Sequence, residues 1–265
     1  MKKPVSSRLL IGFISLFLIW PVLNLVKEGL TLDVNAISSV TILKSVGVTL
    51  VTSLVSMSLI ILIGLPVGYY LSALTGWRRH FFEIILQIPL MLPPAVIGLI
   101  LLLAYGNDSL IGRALSFFNI RTSFSSVGVV LVFVFVALPV FIKGVMTAFS
   151  TLDKNYIQTA QLLGDSPRRV FWRVSLPLAK PSLLLSVVLA FSRGIAEFGA
   201  TMMFAGNLQG VTQTMPLAIY SALDTNVDEA IVIALILLVL ALVLLHVISW
   251  INQRGDVHVN RKLNT

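Results

Sequence analysis

A chain of 265 residues that is 57% hydrophobic and 11% charged, with a mean hydropathy of +0.97, is too apolar for a soluble domain, where about 25% of residues carry charge. Its net charge of +8 lies in short loops beside apolar runs, so it reads as membrane topology and contact with anionic lipid rather than nucleic-acid binding. No cysteine and three scattered histidines exclude disulfides, thiolate redox or metal sites and a histidine metal cluster.

Crossing a hydrocarbon core of about 30 Å takes about 20 apolar residues. Six runs qualify: Leu9 to Val26, Val46 to Leu74, Phe82 to Tyr105, Val127 to Phe149, Ser182 to Ala205 and Ala230 to Ile251. The expected fold is all-α, a polytopic membrane protein of about six transmembrane helices. Lys2, Lys3 and Arg8 precede the first run as in a signal peptide, yet no small-x-small site follows and Pro21-Val22-Leu23 continues it, so it is read as an uncleaved span. The loop from Lys27 to Lys44 divides residues 1–43, this span and its outer loop, from a core of five spans at 44–251, with a tail at 252–265.

The second span carries Ser45, Gly47, Thr49, Thr52, Ser53, Ser56, Ser58, Gly64 and Gly68, small residues that let helix backbones approach closely. Pro66 in the second span, Pro89, Pro93 and Pro94 in the third and Pro139 in the fourth each remove an internal hydrogen bond, tolerated in a membrane where protein or a wet cavity satisfies the freed carbonyls. These helices are expected to face one another or a pathway, with Pro93 and Pro94 as pathway candidates; ordinary packing of kinked helices is the plainer alternative.

Between the fourth and fifth spans, Ser150 or Thr151 can cap a helix with Asp153 in its first turn, and Leu152, Tyr156, Ala160 and Leu163 recur on one face before Gly164 ends it. Asp165 or Ser166 can cap a second helix with Pro167 at its first position, carrying Arg168, Arg169 and Arg173 around Val170, Phe171 and Trp172 until Leu176-Pro177 stops it. A basic amphipathic hairpin on anionic lipid would look similar, but would need neither Gly164 nor Leu-Pro at a fixed offset. In the fifth span Arg193 and Glu197 stand at i and i+4, able to pair on one helix face; charges at that depth cost at least about 2.5 to 3.5 kcal/mol each and normally pair or face water. Either the pair closes a helix interface, or Arg193 offers positive potential to a passing anion while Glu197 holds it in place. Lys143, near the end of the fourth span, is read as snorkelling.

Residues 206–229 contain Asp224, Asp228 and Glu229 and no Lys or Arg. Counting alternate loops with the amino terminus puts thirteen basic residues on one side, including Arg78, Arg79, Lys154, Arg168, Arg169, Arg173, Lys180, Arg254, Arg261 and Lys262, against four on the other: Lys27, Lys44, Arg113 and Arg121. The positive-inside rule places both termini and the 151–180 loop in the cytoplasm.

The segment Gln158-Thr159-Ala160-x3-Gly164-x9-Val174-Ser175-Leu176-Pro177 resembles the EAA loop of ATP-binding cassette importer permeases, which reads Glu-Ala-Ala, three residues, Gly, nine residues, Ile-x-Leu-Pro. Gln158 and Thr159 depart from that pattern. The run Arg193-x3-Glu197-Phe198-Gly199-Ala200, then Phe204-Ala205-Gly206-Asn207, Thr212-x-Thr214 and Pro216-Leu217-Ala218-Ile219-Tyr220, is similar to the molybdate branch, as is Pro89-Leu90-Met91-Leu92-Pro93-Pro94. The resemblance covers about residues 44 to 251. It implies a homodimeric permease importing an oxyanion, molybdate first, with tungstate and sulfate as alternatives. It also implies cytosolic ATPase subunits that grip residues 151–180 and hold the ATP and Mg, and an extracytoplasmic binding protein that docks near Asp224, Asp228 and Glu229. This chain is expected to bind no cofactor and to be no enzyme: no Lys follows a Gly, so the phosphate-loop pattern is absent. An ion-coupled secondary transporter would call for inverted repeats and mid-membrane carboxylates, of which Glu197 alone fits.

Overall fold

The computed structural model describes residues 5–32 and 38–263, with side chains over 10–32 and 38–251 apart from Lys154. Lys2 and Lys3 lie outside the described residues, as do the side chains of Arg8, Arg254, Arg261 and Lys262. Twelve helices follow in order: α1 Val5–Gly29, α2 Ser39–Ser72, α3 Gly76–Met91, α4 Pro94–Tyr105, α5 Leu110–Ser116, α6 Ser126–Ser150, α7 Lys154–Leu162, α8 Pro167–Val170, α9 Leu176–Ile195, α10 Gly199–Ala205, α11 Met215–Leu223 and α12 Val227–Leu263. Among the described residues there is no strand. Five helical stretches are long and apolar enough to cross a membrane, and the bent pair α3 and α4 makes a sixth.

Side-chain caps fix where the long helices begin. Ser38 accepts from Thr41 N, so α2 starts seven residues before Val46, the expected start, and Ser125 accepts from Gly128 N at the head of α6. α2 and α6 form the centre. The small residues expected to permit close approach do so: a Cβ at Gly64 would lie 2.6 Å from Phe141 Cδ1, and one at Gly68 would lie 2.6 Å from Val145. The hydroxyls of this face bond back along their own helix, Thr49 to Ser45 O (2.8 Å), Thr52 to Val48 O (2.6 Å) and Ser56 to Thr52 O (2.7 Å), so burial leaves them satisfied. Met57, Ile60, Phe133, Ala137, Phe141 and Val145 fill the core, and α9 closes on it through Ala190 and Gly194, which meets the Phe133 ring. The side chains described on α1 are exposed or half-exposed, and its Gly29 touches Leu235 of α12.

Two spans read as continuous are broken. α3 and α4 meet at 110° rather than forming one helix from Phe82 to Tyr105. Leu92 and Pro93 each precede a proline, whose ring disfavours helical backbone, and both are extended (ψ 139° and 142°). The fifth span ends at Ile195, and after Ala196, Glu197 and Phe198 the short α10 begins afresh. Leu176-Pro177, expected to stop a helix, does not: α8 runs into α9 through a π turn at Phe171–Ser175, giving one helical stretch from Pro167 to Ile195. The wider turn re-phases the hydrogen-bond ladder just where Pro177 lacks a donor. The two breaks adjoin, since a Cβ at Gly199 would lie 2.8 Å from Pro94 Cβ, and one at Gly98 would lie 3.0 Å from Ala200 O.

Candidate functional site

At one end of the bundle the chain leaves α6 at Thr151 and makes α7. Asp153 rather than Ser150 or Thr151 caps it, accepting from Asn155 N at 2.9 Å, because those two residues already finish α6. The far end of α7 closes as a Schellman motif: Gly164 N donates to Gln161 O (3.0 Å) and Asp165 N to Ala160 O (3.1 Å), with Gly164 at φ +89°. That backbone conformation is why a glycine stands there. Gln158 and Thr159 are exposed, Ala160 is buried, Val174 and Leu176 are half-buried and Pro177 is exposed. The expected apolar face is only partly formed. Leu152 precedes the helix, and Leu163 stands 82% exposed beside Leu162 at 87%, so the end of α7 presents leucines outward.

Beside it Phe171 stacks on Phe149 and meets Tyr69 edge-on. Arg168 and Arg173 are exposed, and Arg169 pairs with Asp165 at 3.3 Å. A cavity of about 520 Å³ lies between α7 and the ends of α2 and α6, lined among others by Tyr69, Arg79, Phe149, Gln158, Gln161 and Ser175.

In the bundle, Arg193 Nη1 donates to Glu197 Oε2 at 2.7 Å. The two do not share one continuous helix as expected, since the pair spans the break between α9 and α10. Glu197 Oε1 accepts from Ala200 N at 3.0 Å, supplying the first turn of α10 with a cap. The carboxylate is therefore held at both oxygens and its side chain is 3% exposed, whereas that of Arg193 is 32% exposed. Pro94 packs against Gly199, two residues beyond Glu197, so the expected pathway residues Pro93, Pro94, Arg193 and Glu197 meet at the paired breaks.

Where α2, α6 and α12 begin, Phe124 N donates to Phe204 O (3.3 Å) and Ser126 Oγ to Val211 O (2.9 Å), which seats the 205–214 loop on α6. Asp224 is exposed and Asp228 half-buried, but Glu229 is buried at 8% and its amide donates to Asn226 Oδ1 at 3.2 Å. Glu229 is thus no rim charge; it sits in the first turn of α12, where the helix dipole favours a carboxylate. The polar knot of this loop is not evident from the pattern of charges in the sequence. Asn207 Nδ2 and Gln213 Nε2 both donate to Ser221 Oγ (2.7 and 3.4 Å), and Thr49 Oγ1 accepts from Met215 N at 2.8 Å. Thr212-Gln213-Thr214, polar residues between apolar helices, was the available signal. Among the described residues no group of acidic or histidine side chains could hold a metal ion.

Residues 60–255 match the family model described as binding-protein-dependent transport system inner membrane component. The molybdenum transport system permease protein of Mycobacterium tuberculosis is 41% identical over 190 residues, 72% of each chain. That of Haemophilus influenzae is 36% identical over 198 residues, 72% of this chain and 86% of the relative. A bacterial ABC transporter that imports the acidic polysaccharide alginate has a chain of the same fold, with a TM-score of 0.59 at 16% identity, covering 89% of this chain and 92% of that one.

Proposed function

Since the chain belongs to the binding-protein-dependent transport system inner membrane components, we propose that it is the membrane-spanning subunit of an ATP-driven importer whose cargo is molybdate. The observation that supports the cargo assignment is the 41% identity to a molybdenum permease over 72% of the chain. The site is chemically suited to it. Arg193, a third exposed, presents guanidinium donors whose planar fork matches an oxyanion, while Glu197 fixes its direction.

In this reading residues 151–180 lie in the cytoplasm with both termini, and α7 is the surface gripped by separate ATPase subunits, which hold the ATP and Mg. The outward leucines Leu162 and Leu163, with Gln158 and Thr159, form that surface. A binding protein delivers the anion at the opposite face, near Asp224 and Asp228, and two copies of this chain enclose the path. Closure of the ATPases on ATP moves α7, and the continuous stretch Pro167 to Ile195 carries that motion as one rod to the break at Glu197. The rod is about 43 Å long at 1.5 Å per residue.

The test is ATP hydrolysis by the complex of permease, ATPase and binding protein reconstituted in liposomes, with molybdate, tungstate or sulfate as the only oxyanion. Stimulation strongest with molybdate is expected. Strongest stimulation by sulfate would reassign the cargo, and uptake driven by an ion gradient without ATP would overturn the importer reading.

A further inference from the structure

α2, α6, α9, α10 and the residue that heads α11 enclose a small chamber lined by Thr49, Thr52, Glu197, Thr201 and Thr214 and closed on its apolar side by Phe133 and Gly194. Its free volume is about 10 Å³, the space of one water molecule. Thr214 is 7% exposed, and its Oγ1 is buried without a hydrogen-bond partner in the protein, a state that folded proteins rarely leave standing. Across the chamber, Glu197 uses one oxygen on Arg193 and one on Ala200 N, while a carboxylate offers about four acceptor positions. Two of the other hydroxyls are already engaged: Thr49 donates to Ser45 O and Thr52 to Val48 O.

A bare monovalent cation would fit the same volume, but Glu197 is already neutralised by Arg193 at 2.7 Å, so the chamber has no net negative charge to hold one. We propose that this chamber is a binding site for one ordered water, which accepts from the Thr214 hydroxyl and donates to Glu197. Thr214 is then a positioning residue, acting through the water and Glu197 on the direction of Arg193. The water adds a hydrogen-bonded tie between α11 and the break between α9 and α10, beside the ring contact of Phe198 with Tyr220 at 5.3 Å between centroids.

Thr214→Val keeps the shape of the side chain and removes its hydroxyl, and the two possibilities give opposite signs. If the hydroxyl binds a water, the variant loses that bond and melts lower, by about 2 to 4 °C. If the hydroxyl is unpaired, replacing it with a methyl group raises the melting temperature, and the proposal is overturned. The positioning role rests on the transport reading and is measured separately, as ATP-dependent molybdate uptake by the reconstituted complex. Thr214→Val raises KM about fivefold with Vmax retained, the effect of one hydrogen bond, and Thr214→Ser restores it. A KM equal to the parent's, or a serine variant as impaired as valine, would overturn that role. Should the valine variant fail to assemble, a map of the parent complex that orders waters decides alone: a peak within hydrogen-bond distance of Thr214 Oγ1 and Glu197 supports the site, and a dry or sodium-filled chamber removes it. A parent complex that imports no oxyanion sinks the transport reading instead, while the melting and the map still judge the water.

Discussion

Glu197→Met takes away the acceptor of Arg193 Nη1 at 2.7 Å and of Ala200 N at 3.0 Å in one step. Breaking a buried ion pair by removing one partner costs about 3 to 5 kcal/mol, and the lower end applies here because the Arg193 side chain keeps 32% of its exposure. The uncapped Ala200 amide adds about 1 kcal/mol, as for other lost caps. The sum, about 4 kcal/mol, corresponds to a fall in melting temperature on the order of 10 °C for a chain of this size. Arg193→Met leaves Glu197, only 3% exposed, as a lone carboxylate that still caps Ala200, so the upper end applies and it falls by about 5 kcal/mol. The double variant Arg193→Met, Glu197→Met strands no charge and loses only the cap, about 1 kcal/mol, so it should be more stable than either single variant. Thermal unfolding of the purified protein in detergent, run beside molybdate uptake in liposomes, reads both consequences. A double variant as unstable as the two single losses added together would refute the coupling. A double variant that transports at the parent rate would show that Arg193 does not meet the anion, whereas recovered stability without flux would show that it does. Partial flux in Arg193→Lys would mean that charge matters more than the planar fork.

Gly164→Val has open space around its side chain, so its cost comes only from φ +89°, about 1 to 2 kcal/mol; the variant should insert normally yet lose co-purifying ATPase, and unchanged assembly and uptake would remove α7 as the coupling surface. Asp224→Asn with Asp228→Asn should weaken docking of the binding protein more at low salt than at high salt, read by surface titration at two ionic strengths, and an affinity unchanged at low salt would count against the site. Glu229→Gln, by contrast, should leave that affinity alone and lower the melting temperature by removing a buried carboxylate from the first turn of α12, a loss of about 0.5 to 1 kcal/mol; an effect on docking alone would reverse the assignment. Gly68→Leu drives a side chain into Val145, already 2.6 Å from where a Cβ would sit, and should abolish folding of the α2 and α6 pair, seen as loss of monodisperse protein.

The spans were legible because lipid leaves the chain one local solution, so that a run of about 20 apolar residues is a helix whatever packs beside it. Gly164 was legible for a similar reason: a glycine that ends an amphipathic run carries its conformation with it. The break at Leu92-Pro93 could have been read from Met91-Leu92-Pro93-Pro94, since two consecutive residues before prolines are both biased away from helical backbone, but hydropathy ran straight through it. The end of α9 at Ile195 had no such local mark. Ala196, Glu197 and Phe198 are ordinary helix residues, and what stops the helix is tertiary: the close approach of Gly199 to Pro94 and the use of Glu197 as a cap. The same limit hid Glu229. An acidic residue in a loop without basic neighbours reads as a surface charge, and only tertiary packing buries it.

A broken helix in a membrane frees backbone groups that need partners, and the paired breaks supply several of them from within. Leu92 N still reaches Ile88 O, Glu197 N reaches Gly194 O, and Ala200 N takes the Glu197 carboxylate. The carboxylate that repairs the backbone is also the partner of Arg193, so one residue serves the fold and the charge together. For a transit site this has a further merit in the proposed function. An isolated arginine at membrane depth would hold a divalent oxyanion too firmly to let it pass, and conduction needs binding weak enough to leave. A guanidinium whose charge is already balanced by Glu197 keeps its directional donors while its net field is small, which favours recognition by hydrogen bonding and rapid release over capture.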